Sequence, residues 1–563
     1  MNSTVKKIKP LTGYSAYFFL LLCVVFSNAH AHQTGVATAH PLATKAAHQI
    51  LAQGGNAFDA AVAATAVLAV VEPAGSGLGG GGFWLLHRAK DGFETMLDGR
   101  EMAPGQAHRD MYLDKEGNVI PKASIDGSLA AGIPGVPAAL AHLAENYGNL
   151  ELAKTLLPAI RYAREGFAID SHMQNLIKFR QQALLASPAA AKIFLVEGKV
   201  PPLGYEIVQA DLANTLQMIA DTNGKGFYQG AFANTLASGV KIAGGIWQVE
   251  DLINYKLIER EPIRGEYHGM KITSAAPPSS GGVALVTMLN ILEGFDLDAA
   301  TPVQRKHLII EAMRRAYRDR AQYLGDTDFI KVPLERLTSK VYAAGLRAAI
   351  SPNKAMPSAL LPTAVNNSGN GTDTTHFSII DADGNRVAAT LSINYPFGSA
   401  FMVPGTGVLL NNEMDDFSAK PGVANVYGLA GAKANAIEPG KRPLSSMSPT
   451  FLEDDKNIII LGAPGGSRII TMVLLGILEY ANGGYADSIV KLGRYHHQYL
   501  PDKLIYEEGA LSKAEIEQLE QWGHTVEKHA RTFGNMQVVI IDKNSETVSA
   551  ASDPRRNGQA SVK

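Results

Sequence analysis

At the Asp373–Thr374 bond a polar, Gly- and Asn-rich stretch runs directly into a β-branched, apolar one. A segment that cannot be buried is therefore joined without a spacer to one that must be. Residues 350–373 pass through Ser-Pro-Asn-Lys, a Pro-Ser pair and Asn366-Asn367-Ser368-Gly369-Asn370-Gly371, a composition with too little apolar surface to enter a core. The pattern then becomes Thr374-Thr375-His376-Phe377-Ser378-Ile379-Ile380, the turn Asp381-Ala382-Asp383-Gly384-Asn385, and a second β-branched and apolar run over 387–393. The alternation and the turn chemistry predict a β-hairpin.

A threonine hydroxyl is a weak nucleophile unless a base lies beside it. Cutting the Asp373–Thr374 bond would create such a base, because the new α-amine of Thr374 is tied next to its own side chain. An α-amine has an ordinary pKa of about 7.7 to 8.0 and accepts a proton near neutral pH. On local pattern alone Thr374-Thr375 reads first as the β-branched start of a strand, with the nucleophile as the second reading.

The N-terminus reads as an address. Lys6, Lys7 and Lys9 precede an apolar run over 14–26 and the small-x-small site Ala29-His30-Ala31, which predicts a signal peptide over 1–31. The apolar run is shorter than the roughly 20 residues of a membrane span, so the expectation is a periplasmic or secreted protein without a permanent membrane anchor. Cys23, the one cysteine, lies inside that run. The mature chain then has no thiol for catalysis, disulfides or metal. Lys+Arg 51 against Asp+Glu 53, with no basic stripe, gives no electrostatic footprint for nucleic acid.

Two Ala-rich stretches over 42–53 and 57–71, separated by Gly54-Gly55-Asn56, read as helices packed closely on a sheet. A long helix is expected over 304–324, its Arg314, Arg315, Arg318, Asp319 and Arg320 forming a solvated face with internal ion pairs. Residues 458–461 read as the edge of a second sheet, leading through Gly462-Ala463-Pro464-Gly465-Gly466 into a helix over 467–480. The last strands are expected over 536–541 and 548–551. Helix pairs and hairpins together indicate an α+β fold, helices layered on antiparallel sheets. Gly75-Ser76-Gly77-Leu78-Gly79-Gly80 spells GxGxxG, but it follows a helix and precedes a strand, the reverse of a dinucleotide site. It reads as a turn where backbones approach closely. No P-loop, GxSxG or HExxH occurs and His496-His497 are adjacent, so no metal or cofactor is expected.

Four blocks after the junction carry a resemblance: Thr374-Thr375-His376-Phe377-Ser378; Leu410-Asn411-Asn412-Glu413-Met414-Asp415-Asp416-Phe417-Ser418; Lys441-Arg442-Pro443-Leu444-Ser445-Ser446-Met447-Ser448-Pro449-Thr450; and Gly462-Ala463-Pro464-Gly465-Gly466-Ser467-Arg468. Ser76-Gly77-Leu78-Gly79-Gly80-Gly81-Gly82-Phe83, Leu97-Asp98-Gly99-Arg100-Glu101-Met102-Ala103-Pro104, Pro277-Pro278-Ser279-Ser280-Gly281-Gly282 and Ala551-Ser552-Asp553-Pro554-Arg555 continue it. In this order the blocks resemble the γ-glutamyltransferase (γ-glutamyltranspeptidase, glutathione hydrolase) family of N-terminal nucleophile hydrolases.

The resemblance implies an αββα four-layer sandwich, self-cleaved between Asp373 and Thr374 into two intertwined subunits, 32–373 and 374–563, that form one folded unit. It implies Thr374 as nucleophile and, through its α-amine, base. Ser392 would support it, and the Gly465 and Gly466 amides would form the oxyanion hole. Arg100, Ser445 and Ser446 would hold the α-carboxylate of a γ-glutamyl donor such as glutathione. Asn394, Glu413 and Asp416 would hold its α-ammonium. Amino acids or dipeptides, or water, would accept the acyl group. The stretch 418–431 resembles a lid loop, with Tyr427 near the mouth of the pocket. Ser392 stands where many relatives carry Thr and Ala276 where they carry a third proline; neither change removes a chemical role. Two rivals remain: a cephalosporin or glutaryl acylase on the same scaffold, and a non-catalytic periplasmic binding protein.

Overall fold

Side chains alternate along a strand between opposite faces of its sheet, and in this chain the two faces of one sheet feed two different cores. The computed structural model describes residues 1, 4, 33–361, 374–418, 425, 428–429 and 433–563. All but two residues of the expected signal peptide, as well as Asp373 and Tyr427, lie outside the described residues.

The first sheet has seven strands, in the order Gln559–Val562, Gly35–Thr38, Thr375–Ile380, Arg386–Ser392, Gly81–Arg88, Phe93–Gly99 and Ile258–Arg260. Every pairing is antiparallel. The second has six, in the order Val548–Ser552, Gln537–Asp542, Asn457–Gly462, Thr450–Glu453, Met270–Ser274 and Ile263–Tyr267, again antiparallel. Residues from before and after Thr374 contribute strands to both.

From the first sheet Val36, Trp84, Leu86, Phe377, Ile379 and Val387 enter a core shared with the helices Pro41–Ala52 and Ala57–Val71. Their neighbours Ala37, Phe83, Leu85, Ile380 and Ala388 enter a second core with Ile272, Leu452, Ile459 and Val538 of the other sheet. The helices Gly281–Leu292, Pro302–Tyr323 and Ile469–Ala481 share that second core. The layers run helix, sheet, sheet, helix, as the resemblance implies. Every residue of Ala57–Val71 is buried, and Asn56 with Asp59 closes its start in a reciprocal capping box.

The GxGxxG stretch is a close-approach turn. A Cβ on Gly79 would strike the Leu409 carbonyl and one on Gly80 the Ser392 carbonyl.

Two expectations are corrected. Residues Asn457–Gly462 are not an edge but lie between Thr450–Glu453 and Gln537–Asp542, which is what an unalternating apolar run, buried on both faces, should do. The basic run on the long helix is not a solvated face: Arg314, Arg315, Asp319 and Arg320 are buried. The internal ion pairs are present, Arg314 and Arg315 sharing Glu311 and Arg318 pairing with Asp319, and further partners come from distant chain. Arg315 donates to the carbonyls of Leu346 and Ala349 at 3.0 and 3.1 Å, and Arg314 to Ser358 Oγ at 2.7 Å. Among the described residues no helix is long and apolar enough to cross a membrane.

Candidate active site

Thr374 immediately precedes Thr375–Ile380, the third strand of the first sheet. By alternation Thr374, His376 and Ser378 face the second sheet, and Ser378 Oγ donates to the Gln537 carbonyl there at 3.2 Å. The His376 ring bonds Thr390 Oγ1 at 2.8 Å. Burial lowers its pKa to about 3, so the ring is neutral. Against that ring lies Gly462, the last residue of its strand. Three residues on, Gly465 and Gly466 have φ of 140° and 59°, the region where a side chain is strained. This turn opens the short helical segment Gly466–Arg468 and the helix Ile469–Ala481. Among the described residues neither glycine amide donates to a backbone carbonyl outside its own turn. Two amides presented in this way suit a developing oxyanion.

Thr374 is 9% exposed and lines two cavities. One brings together Arg100, Ser392, Asn394, Asp416, Ser445, Ser446 and Gly466 with Thr374. Arg100 follows the strand Phe93–Gly99 and is fully buried. Its guanidinium reaches Glu413 Oε2 at 2.7 Å, Asp416 Oδ2 at 2.5 Å and Glu101 Oε2 at 3.6 Å. One cation does not balance three acids, of which Glu101 and Glu413 are fully buried and Asp416 partly so. Burial pushes the Glu101 carboxyl up to about 8, against the pull of Arg100, and lifts Glu413 well above the carboxylate range. A ligand with its own carboxylate and ammonium can exchange partners with this cluster, carboxylate to Arg100 and ammonium to the acids, without changing the buried charge.

Of the remaining residues, Ser392, Asn394 and Ser445 are held by the backbone and Ser446 by a side chain. Ser392 Oγ accepts from the Asn394 amide at 2.8 Å, and Asn394, at φ 72°, donates to the Asn412 carbonyl at 2.9 Å; asparagine tolerates that conformation well. Ser445 Oγ accepts from the Met447 amide at 3.1 Å. Ser446 Oγ accepts from Arg320 at 3.2 Å.

The second cavity meets Thr374 together with Glu72, His172, Gly465, Asn535 and Arg556. Thr375 Oγ1 donates to Glu72 Oε2 at 2.6 Å, and burial raises the Glu72 carboxyl. Of the expected lid, Tyr427 is outside the described residues. Its neighbour Asn425 donates to Asp416 Oδ1 at 3.0 Å, and Leu429 lines the first cavity.

Sequence reasoning missed Glu72, Asn425 and Arg320. Arg320 had a signal: it stands 4, 7 and 11 residues after Ala316, Met313 and Ile309, which places it on the apolar face of the helix, the face that is buried. Glu72 and Asn425 sit in no periodic pattern and had none.

Comparison with known proteins agrees with this geometry. A family model described as gamma-glutamyltranspeptidase matches residues 43–563. The chain is 43% identical over 536 residues to the glutathione hydrolase proenzyme of Escherichia coli K12, covering 94% of this chain and 92% of that protein. Among solved structures, a cephalosporin acylase from Bacillus halodurans superposes with a TM-score of 0.82 at 28% identity, covering 94% of this chain and 96% of that one. The gamma-glutamyltranspeptidase of Helicobacter pylori is 42% identical, with a TM-score of 0.56 over 57% of this chain and 93% of that chain. A family match running through both sheets and every cavity-lining block just described leaves one assignment, and the chain belongs to the γ-glutamyltranspeptidase family.

Proposed function

We propose that this chain is a proenzyme that cuts itself before Thr374 and then transfers γ-glutamyl groups to water or to an amine. What carries the reading is one juxtaposition: Thr374 heads a core strand at the meeting point of two cavities, beside the Gly465-Gly466 turn. In the first step Thr374 Oγ attacks the Asp373 carbonyl carbon. The C–N bond breaks as the ester forms, and water opens the ester to leave the Asp373 carboxylate and a free Thr374 amine. The products are two subunits, ending at Asp373 and beginning at Thr374.

In turnover the amine takes the Oγ proton as Oγ attacks the γ-carbonyl of glutathione or another γ-glutamyl donor. The Gly465 and Gly466 amides hold the oxyanion. The proton passes to the leaving amine, and water or an acceptor amino acid or dipeptide reverses the sequence on the ester. Arg100, Ser445 and Ser446 take the donor's α-carboxylate; Asn394, Glu413 and Asp416 take its α-ammonium; Ser392 steadies the nucleophile, and Tyr427 belongs to the lid.

A second reading, hydrolysis of glutaryl-type amides, draws on the Bacillus halodurans acylase neighbour. The acids paired with Arg100 favour a donor with a free amine instead. N-terminal and intact-mass analysis tests the first step: wild type should give a fragment starting at Thr374 and Thr374→Ala a single chain. Hydrolysis of a γ-glutamyl anilide in preference to a glutaryl anilide tests the second. An uncut wild type, or preference for the glutaryl compound, would refute the assignment.

A further inference from the structure

Arg320 lies near the end of the helix Pro302–Tyr323, is buried, and lines the cavity that holds Arg100, Thr374 and Ser446. Its guanidinium makes two hydrogen bonds, both to serine hydroxyls: Nε to Ser280 Oγ at 2.9 Å and Nη2 to Ser446 Oγ at 3.2 Å. Among the described residues no carboxylate lies within ion-pair distance of it. Several other buried arginines differ. Arg100 has three acids, Arg314 and Arg315 share Glu311, and Arg494 has Asp553. A buried cation with no carboxylate in contact is costly, and this one borders the cavity, where Asp416 acts on it only through space.

The hydrogen bonds run onward from it. Ser280 accepts from Arg320 and donates Oγ to the Ser445 carbonyl at 2.7 Å, while the Ser280 amide donates to the same carbonyl at 2.9 Å. One guanidinium thus braces both residues of the Ser445-Ser446 pair. Because Ser446 Oγ accepts from a cation, its own O–H is directed away from Arg320 and is polarised as a donor. Burial lowers the Arg320 pKa to about 10, and it stays charged at neutral pH.

Resting on the γ-glutamyl reading above, we infer that Arg320 is a positioning residue that makes this cavity selective for donors with a free α-carboxylate. It acts by aiming the Ser446 hydroxyl and by supplying a positive charge that no described carboxylate contacts, Asp416 acting on it only through space. Arg100 sets the grip on the carboxylate, and Arg320 sets the orientation and charge of the wall behind it.

The test uses self-cleaved enzyme and two donors that differ only in that group, γ-glutamyl anilide and 4-aminobutanoyl anilide. Arg320→Gln should raise KM for the first by about 30-fold or more with kcat little changed, and should shift kcat/KM for the second by less than about threefold. Arg320→Lys, which keeps the charge but not the fork, should recover part of the loss. Equal losses on both donors would mean a merely structural role and overturn the inference. If Arg320→Gln fails to fold or to cut itself, Ser280→Ala breaks the same brace with the charge in place. It should raise KM for γ-glutamyl anilide alone by about fivefold, and an equal effect on both donors overturns the inference. If wild type turns over neither donor, the γ-glutamyl reading fails first. Calorimetric binding then decides: Arg320→Gln must weaken L-glutamate and spare 4-aminobutanoate, and any other pattern refutes the role.

Discussion

Replacing Gly462 by alanine should disable the enzyme without touching a reacting group. An added Cβ would sit 2.5 Å from Nδ1 and 2.6 Å from Nε2 of His376, and nearer still to Cε1. Ordinary contact begins about 1 Å further out. The ring has nowhere to go, being fully buried and held by Thr390 Oγ1 at 2.8 Å and Ser378 Oγ at 3.3 Å. Overpacking costs about 1–3 kcal/mol, and breaking the Thr390 bond inside the core about 1–3 kcal/mol more. The penalty is therefore about 2–6 kcal/mol. Chemistry should suffer as well. His376 stands two residues after Thr374 and Gly462 three before Gly465, so wedging them apart moves the nucleophile from the glycine amides by about 1 Å, worth about 100-fold in rate. The assay is kcat/KM on γ-glutamyl anilide, with the fraction cut before Thr374 read by mass and stability by urea denaturation. Adding His376→Ala to Gly462→Ala should restore much of both losses. Turnover within about threefold of wild type for the single variant, or no rescue in the double, would refute the reasoning.

Acid should destabilise the fold through its buried imidazoles. Burial lowers His376 and His496 to about 3 and His497 to about 4, against about 6.5 for an unfolded histidine. A depressed folded pKa means that stability is fully present above the unfolded value and is lost as pH falls toward the folded one. Each such ring forfeits about 2 kcal/mol by pH 5. Urea denaturation at pH 7.5 and pH 5 should show this, and His376→Gln should shrink the difference by about that amount; an unchanged difference contradicts the assignment. Asn425→Ala removes the bond that orients Asp416 at 3.0 Å. It should raise KM for γ-glutamyl anilide about fivefold and spare a glutaryl anilide, which has no ammonium for Asp416; equal shifts on both would refute the role.

Much of the framework was legible where neighbours in sequence are neighbours in space. The hairpin Thr375–Ile380 and Arg386–Ser392 follows from β-branched alternation and the turn at Gly384, whose φ is 87°. The helices Pro41–Ala52 and Ala57–Val71 fall within a residue or two of their expected bounds. The site residues came from resemblance rather than periodicity, since Arg100, Thr374, Asp416 and Ser446 share no local pattern. What failed was the environment of charge. Arg314, Arg315 and Arg320 look alike on one helix, yet the first two share Glu311 and the third has only hydroxyls.

By itself the sequence determined the local structure and the change from polar to β-branched chain at Thr374, because side-chain alternation and turn chemistry depend on residues a few positions apart. Only the tertiary structure decided which strand is interior, that Gly462 lies against His376, and that Arg320 is held by hydroxyls rather than by a carboxylate. Burial and Coulomb energy follow distance through space, and the partners concerned are separated in sequence by tens to hundreds of residues.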